Sequence, residues 1–575
     1  MATAPLEYPR RRRTRTRRPA MAWFVALQLV AASCADPTGL TSRLQDGSRA
    51  SEGRLTSGTT YYVSPAGDDS NNGTSIGSPW KSIARVDAQD FAAGDRVLFQ
   101  GGATFAGVLA FDAADQGSPS APIVVSSYGT GAATIDGGSA GAVTLYNTSG
   151  FELHRLRLTG AGRTINTASG INIYSDLPGP ARLPYIRIDS VDVSGFGQYG
   201  IGIGSWNTTG GFIDVRVQFA SLHDNGLGGL LTYAEHPYTH QNVTVSHVYA
   251  FNNPGVPGLA HNSGSGIVLG GVSGGTIERS VAHDNGWLCD APEGPVGIWT
   301  YDSERVVIEH NESHHNRTNG LADGGGFDLD QNSRLSVMQY NYSHDNDGAG
   351  FLLSHGFADA NHTGNVVRYN VSENDARKNS VGAIAVWGRT VNAEIHNNSV
   401  YLKPSSTGSP RAVSVYAAST ATVVQALHIR SNVFYADAGA TTLWVSPEQA
   451  ASAVELRFEG NDYFAGGARP QFLWGTSTYL GIRGWRSATG QETLNGQPTG
   501  AQVDPRLVSP GTGGTIGNAD LLATLVAYQL KPSSPLIDRA LDLLSVFGVD
   551  PGPADFYAGS VPAGAGYDVG AHEWR

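Results

Sequence analysis

Apolar and polar residues alternate in short segments along most of this chain. The segment RVVIEHN at 305–311 is typical, with β-branched residues between polar ones and an asparagine at its end. An alternation with period two predicts β-strands, whereas amphipathic helices would repeat near 3.6 residues. We therefore predict an all-β protein made of many short strands.

These segments belong to a longer repeat. One phrase returns six times, and the residues at its end lie 28, 32, 31, 30 and 29 residues apart: Asn225, Asn253, Asn285, Asn316, Asn346 and Asp375. A second series follows an apolar residue by three positions: Asn311, Asn341, Asn370, Asn398, Asn432 and Asn461. This period predicts a solenoid of stacked coils. We expect the asparagines to form tight turns, because Asn tolerates left-handed backbone and its amide can bond the next coil.

Composition and chain ends fit a solenoid. The chain has 74 glycines and 15% charged residues, as many tight turns and inward aliphatic side chains require. A parallel solenoid must cover the strand edges at both ends to stay soluble. We predict an N-terminal cap with the first strands over 59–120, a β-helix over 121–465 and a C-terminal cap over 466–575.

The N-terminal segment has the pattern of an export signal. Seven arginines precede an apolar stretch at 20–32, which ends in small residues before Cys34. We predict a signal peptide over 1–34, with lipidation of Cys34 as the lipoprotein alternative, and a linker over 35–58. The protein would then be secreted or held at the cell surface or outer membrane, with a lipid anchor as its only membrane contact. Cys289 is the one other cysteine, so the mature chain would have no internal disulfide.

The charge balance limits the class of partner. Without residues 1–34 the chain keeps 31 basic and 49 acidic residues. Nucleic acids need a positive protein surface, so this balance argues against them. We expect a monomer.

Three stretches resemble a known superfamily. They are YYVSPAGDDSNNGTSIGSPWKSI at 61–83 with GDRVLFQGG at 94–102, RLSVMQYNYSHDNDGAGFLL at 334–353, and SSPLIDRA with YDVGAHEW near the C-terminus. They resemble secreted right-handed parallel β-helix proteins of the pectin-lyase-like superfamily, many of which act on polysaccharides. The resemblance implies a right-handed parallel β-helix and a polysaccharide substrate.

Strand alignment indicates a candidate cleft. The segments GIVLG at 266–270, GIWTY at 297–301, GFDLD at 326–330, GFLLS at 350–354 and AIAVW at 383–387 stack in that order. If the residue after the leading Gly or Ala points inward, Asp328 and Asp330 point outward. Outward aromatic residues then flank them as platforms for sugar rings: Trp299, Tyr301, Trp387 and Tyr416.

Asp328 and Asp330 are the first candidates for catalysis. Two residues apart on one strand face, their Cα atoms should lie about 6.5–7 Å apart, close enough to shift each other's pKa. Such a pair suits glycoside hydrolysis, with one acid and one base and no cofactor. Asp323 in the preceding loop and His355 on the next coil are expected to complete the site.

Two other functions fit the same residues. A lyase could use Ca²⁺ held by the acids, including Asp345 and Asp347, with Lys378 as the base. A non-catalytic glycan-binding or adhesive solenoid would use the acids only to solvate the face or hold an ion. A histidine column at His223, His283, His314 and His344 could be a metal array or proton relay, but we interpret it as structural.

Overall fold

The computed structural model describes residues 58–206, 208–437 and 439–575. The signal peptide, Cys34 and nearly all of the linker lie outside these ranges, so export and lipidation stay predictions. In the described part of the chain no helix has the length and apolar character needed to cross a bilayer.

The described chain winds into a parallel β-solenoid of about 13 turns. Each full coil has three faces, here called sheets I, II and III in the order the chain passes through them. Sheet I has 14 strands: Leu109–Phe111, Val143–Tyr146, Ile171–Ser175, Tyr199–Ser205, Gly228–Ala234, Ser265–Gly270, Val296–Tyr301, Gly325–Leu329, Phe351–His355, Gly382–Gly388, Arg411–Tyr416, Thr441–Val445, Gln471–Trp474 and Ser477–Leu480. All pair in parallel except the last, which forms an antiparallel hairpin.

Sheets II and III form one continuous 25-stranded sheet, because two long strands, Phe151–Gly160 and Arg182–Ser194, run through both faces. The other strands of sheet II are Thr60–Val63, Arg96–Gln100, Ile123–Tyr128, Gly211–Gln218, His240–Ser246, Val272–Glu278, Glu304–Glu309, Val337–Gln339, Val366–Arg368, Val391–His396, Gln425–Arg430 and Val454–Glu459. Those of sheet III are Thr104–Ala106, Ala133–Gly138, Ser221–His223, Tyr249–Phe251, Val281–His283, Glu312–His314, Tyr342–His344, Val371–Glu373, Ser399–Leu402, Val433–Ala436 and Asp462–Phe464.

Outside these sheets, few of the described residues form regular secondary structure. The helices are Ile83–Asp87, Pro447–Ser452, Ile482–Thr489 and Leu543–Phe547, and the 3₁₀ turns are Thr420–Thr422, Ala519–Thr524 and Val526–Tyr528. A two-stranded ribbon joins Thr493–Leu494 to Gln497–Pro498.

The asparagine series form two ladders inside the turns. Asn311 lies between sheets II and III, and its Nδ2 donates to Oδ1 of Asn341 at 3.0 Å. Asn316, after sheet III, donates in the same way to Asn346. The hydrogen bonding between coils is therefore confirmed. The expectation that asparagine itself is left-handed is wrong, because the residue before it, such as His310 or His315, has the positive φ. That residue reverses the chain while the asparagine points inward.

Different segments cover the two ends. At the N-terminal end, Trp80 is buried and stacks on Tyr61 with 4.6 Å between ring centroids. At the other end the buried Trp485 of helix Ile482–Thr489 stacks on Phe472 at 4.6 Å. The chain after this helix turns back and packs on the outer face of sheet III, where Tyr528 donates to Glu373.

Candidate active site

The outer face of sheet I has the strand register that the alignment predicts. Phe327 is aligned with Phe351, and their rings stack inside the coil with centroids 5.2 Å apart. Asp328 is therefore on the opposite, outer face, in a row between Trp299 and Leu352. Asp330 follows strand Gly325–Leu329 on the same face, since side chains alternate across a strand.

Asp328 is the least satisfied carboxyl group of this face. Its side chain is only 4% exposed, and its Oδ1 has no hydrogen-bond partner. Burial, with the negative charges of Asp330 and Asp323, raises its pKa well above the usual value. A buried carboxyl without a full set of partners is costly, so it is expected to be protonated and available to a ligand.

Asp330 is held by the next coil. Burial raises its pKa to about 6, although hydrogen bonds from Ser354 and from the backbone at Gln331 oppose this rise. Glu293 adds a further negative charge. This pKa is lower than that of Asp323, which is about 7. Asp330 is therefore the most ionised of the three aspartates at neutral pH.

Asp323 lies in the loop that enters the same strand. Its backbone is left-handed, with φ of 52°, and its carbonyl accepts a hydrogen bond from Asn379 at 2.8 Å. Its Oδ2 accepts from the backbone N–H of Gly294 at 3.0 Å. Burial and the charge of Asp330 raise its pKa to about 7.

Aromatic residues lie before the aspartates along the solenoid axis. Trp299 is buried on the outer face, with its Nε1 donating to Oγ of Ser265 at 3.0 Å, and its ring is 5.3 Å from that of Tyr301. The Tyr301 ring lies over Gly270, where a Cβ would come within 2.3 Å of it. The lack of a side chain at Gly270 thus leaves room for this ring.

A second aromatic group lies after the aspartates. Trp387 lies over Gly356, where a Cβ would come within 2.7 Å of the ring. Tyr416, on the next coil, stacks on Trp444 at 5.3 Å. The charges of Asp323 and Asp328 help to raise the pKa of Tyr416, after the larger effect of burial. The aspartates therefore lie between two aromatic groups.

Two predicted catalytic residues are not brought to the aspartates. His355 faces the inside of the coil, fully buried, with Nε2 3.0 Å from Asp359 and its ring stacked on His362. The alternation that turns Ser354 outward turns His355 inward. Lys378 donates from Nζ to the carbonyl oxygen of Thr318, which holds it in the neighbouring loop.

The predicted metal ligands Asp345 and Asp347 do not converge either. Asp345 Oδ2 lies 3.0 Å from Nδ1 of His344, on sheet III, whereas Asp347 Oδ2 accepts from the backbone N–H of Thr318 at 3.1 Å. The two carboxylates have different partners on either side of the turn. Joint binding of an ion by these two residues stays a prediction.

Several neighbours were missed by sequence reasoning. Trp444 would have followed from extending the strand alignment by one coil, to TTLWV at 441–445. Arg411 lies with Cζ 4.1 Å from the Trp444 ring centroid. Glu293 comes from a loop without a repeat pattern, so no periodic signal could place it beside Asp330.

Comparison with known proteins supports the fold. Residues 181–400 match the family model described as the right handed beta helix region. The described chain therefore has the fold of a right-handed parallel β-helix. The fold predicted from the sequence is confirmed.

Individual relatives of this β-helix are distant. A lacto-N-biosidase from Bifidobacterium longum subsp. longum is 23% identical over 474 residues, which cover 65% of this chain and 29% of that protein. The chain thus spans less than a third of the length of that relative. The structure of a GH136 lacto-N-biosidase from Eubacterium ramulus is 19% identical, covering 62% of this chain and 65% of that one, with a TM-score of 0.46. A pectate lyase structure is 16% identical, covering 91% and 98%, with a TM-score of 0.41.

Proposed function

We propose that this β-helix is a glycoside hydrolase acting on an uncharged glycan at the outer face of sheet I. The observation that carries the proposal is the trio Asp323, Asp328 and Asp330, whose carboxyls share one face but have different surroundings. Carboxyl groups whose environments separate their pKa values are suited to divide the roles of acid and base. No cofactor is needed for this chemistry.

The surroundings favour a role for each aspartate. Asp330, with a pKa of about 6, is the ionised partner that acts as base or nucleophile. Asp323, with a pKa of about 7 and a partly exposed side chain, is the general acid, since a proton donor works best with a pKa near the working pH. Asp328 is too buried to exchange protons readily and donates a hydrogen bond to the sugar from its protonated form. The sequence analysis divides the roles of acid and base between Asp328 and Asp330, whereas this assignment gives the role of acid to Asp323.

Charge and shape support a neutral glycan. Among the described residues no cation is found that shifts the pKa values of these three aspartates, whereas Glu293 and Asp302 add negative charge, so a uronate would meet repulsion here. The flanking aromatic rings offer apolar faces to the C–H groups of pyranoses. The name of the Bifidobacterium relative, lacto-N-biosidase, is that of a glycosidase and supports hydrolysis over elimination.

The first experiment is a substrate panel. Purified protein is incubated with neutral and uronate-containing oligosaccharides and polysaccharides, with and without a calcium chelator, and both new reducing ends and unsaturated products are recorded. We expect reducing ends from neutral glycans, unaffected by chelation. Unsaturated products that depend on calcium would replace the proposal with the lyase, and binding without turnover across the panel would replace it with the glycan-binding solenoid.

A second experiment assigns the roles. D323A should lose about 10²–10⁴-fold in turnover of natural linkages but keep most activity on aryl glycosides with good leaving groups, which need no acid. D330A should lose activity on both classes of substrate. Azide should restore turnover of the aryl glycoside by D330A if Asp330 is the nucleophile. Equal losses for D323A on both classes would contradict the role given to Asp323.

A further inference from the structure

The histidine column on the outer face of sheet III is a continuous ring stack. It consists of the last residues of five successive strands: His223, Phe251, His283, His314 and His344. Neighbouring ring centroids are 4.6–5.2 Å apart and the ring planes are within 9° of parallel. The structural interpretation of the column therefore describes its stacking correctly. It does not account for one coil that differs from the others.

In most of these coils the histidine pairs with the residue after it. Nδ1 of His223, His283 and His344 lies 2.6, 2.8 and 3.0 Å from the carboxylate of the following aspartate, which has a positive φ in each case. The coil of His314 has His315 at that position, with the same positive φ. Nδ1 of His314 and Nδ1 of His315 are 2.8 Å apart. One coil thus has two facing imidazole nitrogens where its neighbours have a nitrogen and a carboxylate.

The next coil adds a third imidazole. Potential ligand atoms of His314, His315 and His344 all lie within 4.8 Å of one another. Nε2 of His344 is 3.2 Å from Glu312, a fully buried carboxylate that also accepts from the backbone N–H groups of Ile516 and Gly517. Nδ1 of the same ring lies 3.0 Å from Oδ2 of Asp345, so it becomes a ligand atom once its proton is lost. A carboxylate that orients a histidine in this way is typical of histidines that bind metals.

Access and charge suit a cation. His314 and His344 are buried, but His315 is half-buried, and the side chain of Asp345 beside it is 37% exposed. Asp284 and Asp345 lie close enough to His315 to act on it electrostatically.

We propose that His314, His315 and His344 bind a divalent transition metal ion, with Zn²⁺ as the fitting example, on the outer face of sheet III. Three nitrogen ligands leave a fourth position for water or the Asp345 carboxylate. The ion would replace the proton on Nδ1 of His344, which is released to solvent. The site is on a different sheet from the three aspartates and does not depend on the proposed hydrolysis.

The test uses tag-free, chelator-treated full chain. Zn²⁺ binding is measured by calorimetry, and Co²⁺ serves as the spectroscopic probe of nitrogen ligands. We expect one ion per chain, visible Co²⁺ bands, weaker binding as the pH falls, and a higher melting temperature with Zn²⁺. H315D and H315N place at this position residues that neighbouring coils already carry, Asp284 and Asn252, so both should fold.

H315N should bind Zn²⁺ at least about tenfold more weakly and lose the melting-temperature shift, whereas H315D keeps an oxygen ligand and should lose the Co²⁺ bands of a three-nitrogen site. The matched control H223Q alters the same column two histidines away and should bind Zn²⁺ like the parent. Absence of Zn²⁺ binding to the parent would overturn the proposal. So would unchanged binding in H315N, because the ion would then be held elsewhere.

Discussion

Two buried aspartates in neighbouring parts of the solenoid show how differently one residue type can be used. Asp375 ends an asparagine ladder: its Oδ1 accepts from the backbone N–H and Nδ2 of Asn346, and its Oδ2 accepts from Ser372 at 2.6 Å. Asp328 is similarly buried on the outer face of sheet I, yet its Oδ1 has no partner.

The difference in hydrogen bonding separates a structural carboxyl group from one that is a candidate for function. Burial raises the pKa of both aspartates, so neither burial nor titration distinguishes them. Hydrogen bonding does. The ladder carboxyl is fully engaged within the protein, as structural polar groups are, whereas the carboxyl on sheet I has an atom left for a ligand.

The largest expected effect comes from the sheet I side of this comparison. D330N should reduce glycosidase turnover by about 10³-fold or more, because it removes the ionised carboxylate. Its melting temperature should stay equal to or above that of the parent, since a repelling negative charge is removed. The check is turnover on the best glycan found, with melting measured in parallel.

The matched control is D375N on the ladder. It should leave turnover unchanged, because Asp375 does not touch the aspartates of sheet I. A D330N protein with full turnover would break the comparison, since the sheet I carboxyls would then be as structural as Asp375.

The next effect is on stability. D375A should lower the free energy of unfolding by about 3 kcal/mol, because it leaves the buried donors of Asn346 and Ser372 without acceptors. D375N should cost little. In the two preceding coils Nδ2 of Asn316 and Asn346 donates to a serine three residues earlier, at 3.0 and 3.1 Å, and an asparagine at 375 can do the same with Ser372. Urea unfolding of the two variants checks this, and equal losses would show that the charge of Asp375 matters.

A smaller effect should appear in the dependence of stability on pH. The folded pKa values of Asp323 and Asp330, about 7 and about 6, lie above the usual 3.8, so the folded protein binds protons more tightly than the unfolded chain. Their stabilisation is present below about pH 4 and is lost as the pH rises through 6 and 7. Between pH 5 and 8 we expect a loss of about 1–2 kcal/mol per aspartate, allowing for solvent screening.

Melting curves of the parent and of a D323N/D330N double variant test this dependence. The double variant should have a flatter profile. The pKa of Asp375 is also raised to about 6, so this residue also lowers the stability as the pH rises. The melting curves of D375N measure the size of that contribution. A double variant with the slope of the parent would mean that the sheet I aspartates titrate normally.

Much of the fold could be predicted from the sequence because its determinants are local and repeated. The alternation in RVVIEHN and the recurring asparagines report strand, turn and stacking directly, and even the outward direction of Asp328 followed from the stacked strands. The left-handed residue before each asparagine was not predictable, since His310, Tyr340 and Tyr369 share no side-chain property that requires it.

The site was predictable only where it follows the repeat. Asp328 and the aromatic residues lie on aligned strands, so their neighbours could be counted along the sequence. The direction of His355 depends on where strand Phe351–His355 ends, and a loop decides the partner of Lys378, so neither could be counted along the repeat. The pairing of His314 with His315 depends on a side-chain orientation that a repeat alignment does not give.

The smallest expected effect concerns the aromatic rings beside the aspartates. W387A should raise KM for the glycan by about tenfold, with a small change in kcat, because a stacked ring contributes on the order of 1 kcal/mol to binding in both ground and transition states. The matched variant is W299A, whose ring is more buried and bonded through Nε1 to Ser265, so it should also lower the melting temperature. Initial rates over a range of glycan concentrations, with melting curves, separate the two. If W387A lowers kcat and leaves KM unchanged, then Trp387 supports the position of Asp330 through Ser354 rather than binding the sugar.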